Sequence, residues 1–182
     1  MTFTTTILIK EKYEGKAKLL FTDTDSLCYE IETKDFYNDI GPDVKKMFDT
    51  SNYPKVHPSG IPTGCNKKVP GMMKDECGGK LMSEFIGLRA KLYAYKMCEG
   101  KEEKRCKGVK KYVVKKNISF EDYKKCLKTG VEQMRKMSNI RSRGHQLYTE
   151  ETYKTALSAN DDKRIILGDG IHTHAIGHYA TL

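Results

Sequence analysis

The chain has 182 residues, 38% hydrophobic and 31% charged, with a mean hydropathy of −0.64 and a formal net charge of +9. That length holds one or two domains around a modest core. No apolar run approaches the roughly 18 residues of a spanning helix, and residues 1–10 lack the basic start and apolar length of a signal peptide, so an intracellular protein without a membrane partner is expected.

The pattern predicts a short helix over 5–13, then a turn at Tyr13-Glu14-Gly15. Residues 16–22 and 27–32 read as strands, the second with Leu27, Tyr29 and Ile31 on one face. Asp23-Thr24-Asp25 falls at the tip between them, which makes a β-hairpin with carboxylates at its turn. Two short helical pieces follow, 35–40 and 42–48, split by Gly41-Pro42. Residues 49–70, with Pro54, Pro58, Pro62 and Pro70, read as a loop skirting the surface. Strands are expected over 72–77, 80–86, 88–96 and 105–109, with turns at Gly78-Gly79 and at the charged 100–104. On a strand, Asp75 and Glu76 point to opposite faces and cannot share an ion. A second unit begins near Cys106. Ser119-Phe-Glu-Asp122 has the form of a capping box, opening a helix that stops at Gly130. Strands over 133–140, 144–158 and 164–167 and a turn at Asp169-Gly170 complete the chain.

The basic charge is concentrated. Residues 66–116 hold 15 basic and 6 acidic residues, an excess equal to the whole chain's net charge. Such an excess fits a surface for a polyanion, with Lys74, Lys80 and Arg89 facing phosphates, and charge alone fits a solvated lysine-rich face equally well. The six cysteines make no C-x-x-C pair, which argues against a zinc ribbon and for reduced thiols. His172, His174 and His178 have a spacing a metal could use, H-x-H-x₃-H near the C-terminus.

Asp23 and Asp25, two apart on a strand-turn, can project both carboxylates to one side. Nucleotidyl transfer needs such a group. Two magnesium ions lower the pKa of the attacking hydroxyl and stabilise the leaving pyrophosphate, and magnesium takes hard oxygen ligands. A calcium loop starting at Asp23 is excluded, because Cys28 and Lys34 occupy its required Gly and Glu positions. A phosphate loop ending at Gly79-Lys80 fails at Lys74 and Leu81.

The stretch Leu19-Leu-Phe-Thr-Asp-Thr-Asp-Ser-Leu27 resembles motif C of family B DNA polymerases, with Phe21 where the family usually has Tyr. Leu88-Arg-Ala-Lys-Leu-Tyr93 resembles the family's K-x-Y motif through Lys91 and Tyr93. Lys107-Gly-Val-Lys110 and the stretch from Val114 to Lys124 resemble the start of the thumb in protein-primed polymerases of phages and Maverick-type transposons. The resemblance runs from about Lys16 to Tyr179.

It implies an α+β fold: antiparallel palm hairpins carrying the D-T-D-S turn, with short helices, over 1–105, then a small α+β thumb over 106–182. It makes Asp23 and Asp25 catalytic ligands of two magnesium ions, and Thr24 and Ser26 the rest of the turn. Arg89, Lys91, Tyr93, Lys107 and Lys110 become contacts to a DNA primer–template. It further implies a deoxynucleoside triphosphate substrate, a terminal protein as primer, and nuclear residence if the source is a eukaryotic transposon. Motif A (D-x-x-S-L-Y-P), motif B (K-x-x-x-N-S-x-Y-G) and the exonuclease carboxylates are absent from these residues. The expected partner is therefore the N-terminal palm, fingers and exonuclease region, and the isolated chain is expected to be inactive. The rival is a non-catalytic DNA-binding remnant of a transposon-encoded polymerase.

Overall fold

A computed structural model describes residues 9–23, 26–160, 164–168 and 172–181. The protein is mixed α+β, built from antiparallel hairpins and a few short helices. It divides into two compact units, one running to Ser83 and including Met97–Lys101, the other comprising Glu84–Lys96 and the residues from Glu102 onward. Among the described residues no helix is long and apolar enough to cross a membrane.

In the first unit a helical stretch over 9–13 leads through a 3₁₀ turn, Glu14–Lys16, into the β1–β2 hairpin. Strand β1 is Ala17–Asp23 and β2 is Ser26–Ile31; they pair antiparallel from Ala17↔Ile31 to Asp23↔Ser26. A bulge between Leu19 and Phe21 leaves one residue of β1 unpaired. Helix α1, Phe36–Ile40, starts where the Asp35 carboxylate accepts from the backbone N–H groups of Tyr37 and Asn38 at 2.9 and 3.2 Å. Pro42 then lies in a 3₁₀ turn before α2, Val44–Met47. Tyr37, Ile40, Val44, Phe48, Tyr53 and Ile61 form the core of this unit.

The 49–70 segment is a loop, as its prolines indicate, and half of its residues lie exposed on the surface, but it also sends several side chains into the core. Thr50 is 0% exposed, and Tyr53, His57 and Ile61 are buried. Side chains supply the hydrogen bonds that strands or helices would otherwise make. The Thr50 hydroxyl donates to Pro62 O and accepts from Cys65 N–H, and the Asn66 amide donates to the Phe48 carbonyl at 2.9 Å.

The turn expected at Gly78-Gly79 is present, but the strand expected over 72–77 shortens to two residues. This strand, β4, Met73–Lys74, pairs in parallel with β3, Phe48–Asp49. Asp75 and Glu76 sit in the turn that follows. The Asp75 carboxylate accepts from Cys77 N–H at 2.7 Å and Gly79 N–H at 2.8 Å, and it holds the hydroxyls of Tyr37 and Tyr53. His57 closes the turn: its Nδ1 accepts from Ser59 N–H, so its Nε2 donates to Gly79 O at 2.8 Å. A Cβ on Gly79 would meet the His57 ring at 2.9 Å, so this position requires glycine for contact as well as for its φ of 81°.

Most of the sheet β5–β6–β7, Met82–Arg89, Leu92–Met97 and Glu102–Cys106, belongs to the second unit. The strand expected over 88–96 is broken by a turn at Ala90-Lys91, where Lys91 takes a left-handed φ of 59°. The charged 100–104 segment is largely strand, while 107–109 is a turn. Composition misleads here because Glu102 and Lys104 are neutralised in place: Glu102 pairs with Lys96 at 3.7 Å and with Lys104 at 3.6 Å.

Helix α3, Lys111–Asn117, has no side-chain cap and buries Val113 and Val114. Helix α4, Phe120–Thr129, has the expected capping box between Ser119 and Asp122 and ends at Gly130, whose φ is 67°. Phe120, Tyr123 and Cys126 are buried with Ile86, Leu92, Ala94 and Leu157 in this unit's core. A long antiparallel hairpin, β8 (Gln133–Arg143) and β9 (Gln146–Leu157), and a short one, β10 (Arg164–Ile166) and β11 (Thr173–Ala175), follow. The Asp169-Gly170 turn lies outside the described residues.

Candidate nucleic-acid interface

In the first unit, the β1–β2 register brings the partly exposed Asp23 opposite Ser26 at the end of the ladder. Thr24 and Asp25, which link them in sequence, lie outside the described residues. The Ser26 hydroxyl donates to Glu76 Oε1 at 3.4 Å. Nothing in the sequence signals that contact, because it spans 50 residues. The donors at this end of the hairpin are oxygens, the ligand type that magnesium prefers over nitrogen or sulfur. Among the described residues, no three His, Cys, Asp or Glu side chains converge as metal ligands. His174 and His178 stack ring on ring at 4.2 Å.

Two flanking thiols are chemically quiet. Burial pushes the Cys28 and Cys77 thiols up to about 11, so neither is a ready thiolate.

The second unit gathers several of the expected contact residues at one end of its sheet. Arg89 ends β5, and Lys91 occupies the turn into β6. Lys107 N–H donates to Lys91 O at 3.1 Å, which brings the two lysine backbones together. Tyr93, on β6, pairs with Arg105 on β7. Thus Arg89, Lys91, Tyr93 and Lys107 share a region with Arg105, a cation that sequence reading passed over. The strand pairing Tyr93↔Arg105 joins segments separated by a turn, and no local motif encodes it.

Other basic residues have structural partners. The Lys110 ammonium donates to Ser138 O at 2.6 Å, and its N–H meets Met137 Sδ at 3.4 Å, so Lys110 fastens β8 to the start of α3. Lys74 pairs with Asp49 at 3.7 Å and Lys80 with Glu99 at 2.5 Å. Both lysine side chains are about half exposed, and Lys80–Glu99, exposed on both sides, is a weak contributor to stability.

Such an arrangement can hold a polyanion through point charges and offer an aromatic ring to a sugar or base. Comparison of the chain with protein-family models, with curated proteins and with solved structures finds no match.

Proposed function

We propose that the chain is the C-terminal palm (1–105) and thumb (106–182) of a protein-primed family B DNA polymerase. The parent reaction is template-directed transfer of a nucleotide to a primer 3′-hydroxyl, or to a protein hydroxyl at initiation. The observation that carries the reading is the hairpin register: β1 ends at Asp23 and β2 begins at Ser26, so the first and last residues of the D-T-D-S motif face each other across the ladder. The cationic end of the second sheet supports it, since both members of the K-x-Y motif lie there with Lys107.

In this reading Asp23 and Asp25 are the magnesium ligands. The bound ions lower the pKa of the attacking hydroxyl and stabilise the departing pyrophosphate. Lys91 and Tyr93 hold the primer strand, with Arg89 and Lys107 on nearby phosphates. Thr24 and Ser26 complete the turn, and Lys110 fastens the thumb hairpin to the start of α3. A deoxynucleoside triphosphate and a terminal protein are the remaining partners, and the chain by itself is inactive because motifs A and B are absent from these residues.

Fluorescence anisotropy with a recessed primer–template and a blunt duplex of equal length tests this function. Binding that weakens linearly in log salt, favours the recessed end, and loses that preference in Lys91→Ala with Tyr93→Ala is expected. Equal affinity for both ends would refute the primer-holding role.

A further inference from the structure

Successive residues of the β5–β6–β7 sheet belong to opposite faces. Ile86, Leu92, Ala94 and Cys106 face the core with Phe120 and Tyr123. The other face carries Phe85, Tyr93 and Tyr95. The Phe85 and Tyr93 ring centroids are 6.1 Å apart, and those of Tyr93 and Tyr95 are 6.5 Å apart with planes within 13°. These three rings are partly exposed, whereas Phe120 and Tyr123 on the core side are 0% exposed. A row of core-filling rings would be buried like that second pair.

Two further features set the row apart. Gly87 lies inside β5, where a glycine weakens a strand relative to alanine. No positive φ requires it; instead, a Cβ there would meet the Phe85 ring at 3.1 Å. The glycine therefore lets Phe85 lie over the strand, next to Tyr93. The strand register also gives the row a direction. Arg105 pairs with Tyr93, beside the Lys91–Lys107 junction, while Glu103 pairs with Tyr95. Charge is thus cationic at one end of the row and acidic at the other.

We propose that Phe85, Tyr93 and Tyr95 form a stacking platform for the unpaired bases of a single-stranded nucleic acid, with Arg105, Lys91 and Lys107 meeting its phosphates at the Tyr93 end. Aromatic side chains on a sheet face stack bases through a π-surface that every base has, so the platform is tolerant of sequence. Alternation alone made Tyr93 and Tyr95 neighbours in the sequence; the folded sheet adds Phe85 and Arg105. The inference rests on the nucleic-acid reading above, and it goes further by naming unpaired bases as the ligand.

The test compares an oligothymidylate with an abasic oligomer of the same length and charge, each titrated into the whole chain. Stacking is worth about 1–3 kcal/mol per base, so the base-bearing strand is expected to bind at least about tenfold more tightly than the abasic one. Tyr95→Leu and Phe85→Leu each reduce that preference about tenfold, and Tyr95→Phe retains it. The wild-type comparison is independent of whether any variant folds. Equal affinity for the two strands, with primer–template binding intact, overturns the platform and leaves the polymerase reading standing. Failure to bind any nucleic acid overturns both.

Discussion

Replacing Asp75 with alanine removes the group on which the 75–79 turn is assembled. Two backbone N–H donors lie at 2.7 and 2.8 Å from its carboxylate oxygens, and the hydroxyls of Tyr37 and Tyr53 are bound to the same group. A hydrogen bond to a charged acceptor is worth about 1.5–3 kcal/mol. The two backbone donors alone therefore put the loss at about 3 kcal/mol; water can recover part of the tyrosine contribution. Asp75→Asn keeps an acceptor oxygen and loses about half as much. Burial first, and then the Asp75 charge, raises both tyrosines above the ordinary phenol range. In Asp75→Ala they should consequently titrate at lower pH than in the wild type, followed by absorbance of tyrosinate. Near-ultraviolet circular dichroism reports the unfolding, since the chain has no tryptophan. An unfolding free energy within about 0.5 kcal/mol of wild type would refute the turn's dependence on this carboxylate.

The remaining predictions concern Asp49 and the thiols. Hydrogen bonds from Ser51, side chain and backbone, hold Asp49 below the usual carboxylate range. A folded-state pKa below the unfolded one adds stability that is fully present above roughly pH 4 and is lost as pH falls through the folded value. The stability gap between wild type and Asp49→Asn should therefore close on acidification below about pH 4; a gap unchanged at lower pH would contradict the assignment. Cys98 is exposed, whereas Cys106 and Cys126 are buried, with the Cys106 thiol pushed up to about 11. In native protein an aromatic disulfide reagent should modify Cys98 first and the buried pair only on unfolding; early labelling of Cys106 would mean that its packing against Ala156 O is not maintained.

The elements that the sequence revealed are those specified locally. The Ser119–Asp122 box and Gly130 delimit a helix whose two ends both lie in sequence signals. The β1–β2 hairpin follows from the alternation of β2 and the turn before it, whereas β8 and β9 are legible as strands but not as a hairpin turning at Gly144-His145. The anchoring of the 49–70 loop through Thr50, Tyr53, His57 and Ile61 is not specified locally, because it depends on distant acceptors: Asn66 reaches back to Phe48 O, and Thr50 reaches forward to Pro62 O. Strand β7 was hidden by its charge, since Glu102 and Lys104 look solvated until Lys96 is placed beside them. The break at Lys91 was hidden because no glycine or proline marks it. Within the candidate interface, Lys91 and Tyr93 stand out as a motif, but Arg105 joins them only through strand pairing. Likewise Glu76 meets Ser26 only through tertiary folding.

The most direct test of the polymerase reading uses ferrous ion in place of magnesium. On that reading, ferrous ion held by Asp23 and Asp25 cleaves added hydrogen peroxide to hydroxide and a hydroxyl radical. Ascorbate returns the ferric ion to ferrous, and the radicals cut DNA only nearby. With a recessed primer–template bound to the chain, cutting concentrated at the primer 3′ terminus and abolished by Asp23→Asn or Asp25→Asn is expected. Cutting spread evenly along the duplex, or unchanged in both variants, would contradict a metal site at this hairpin.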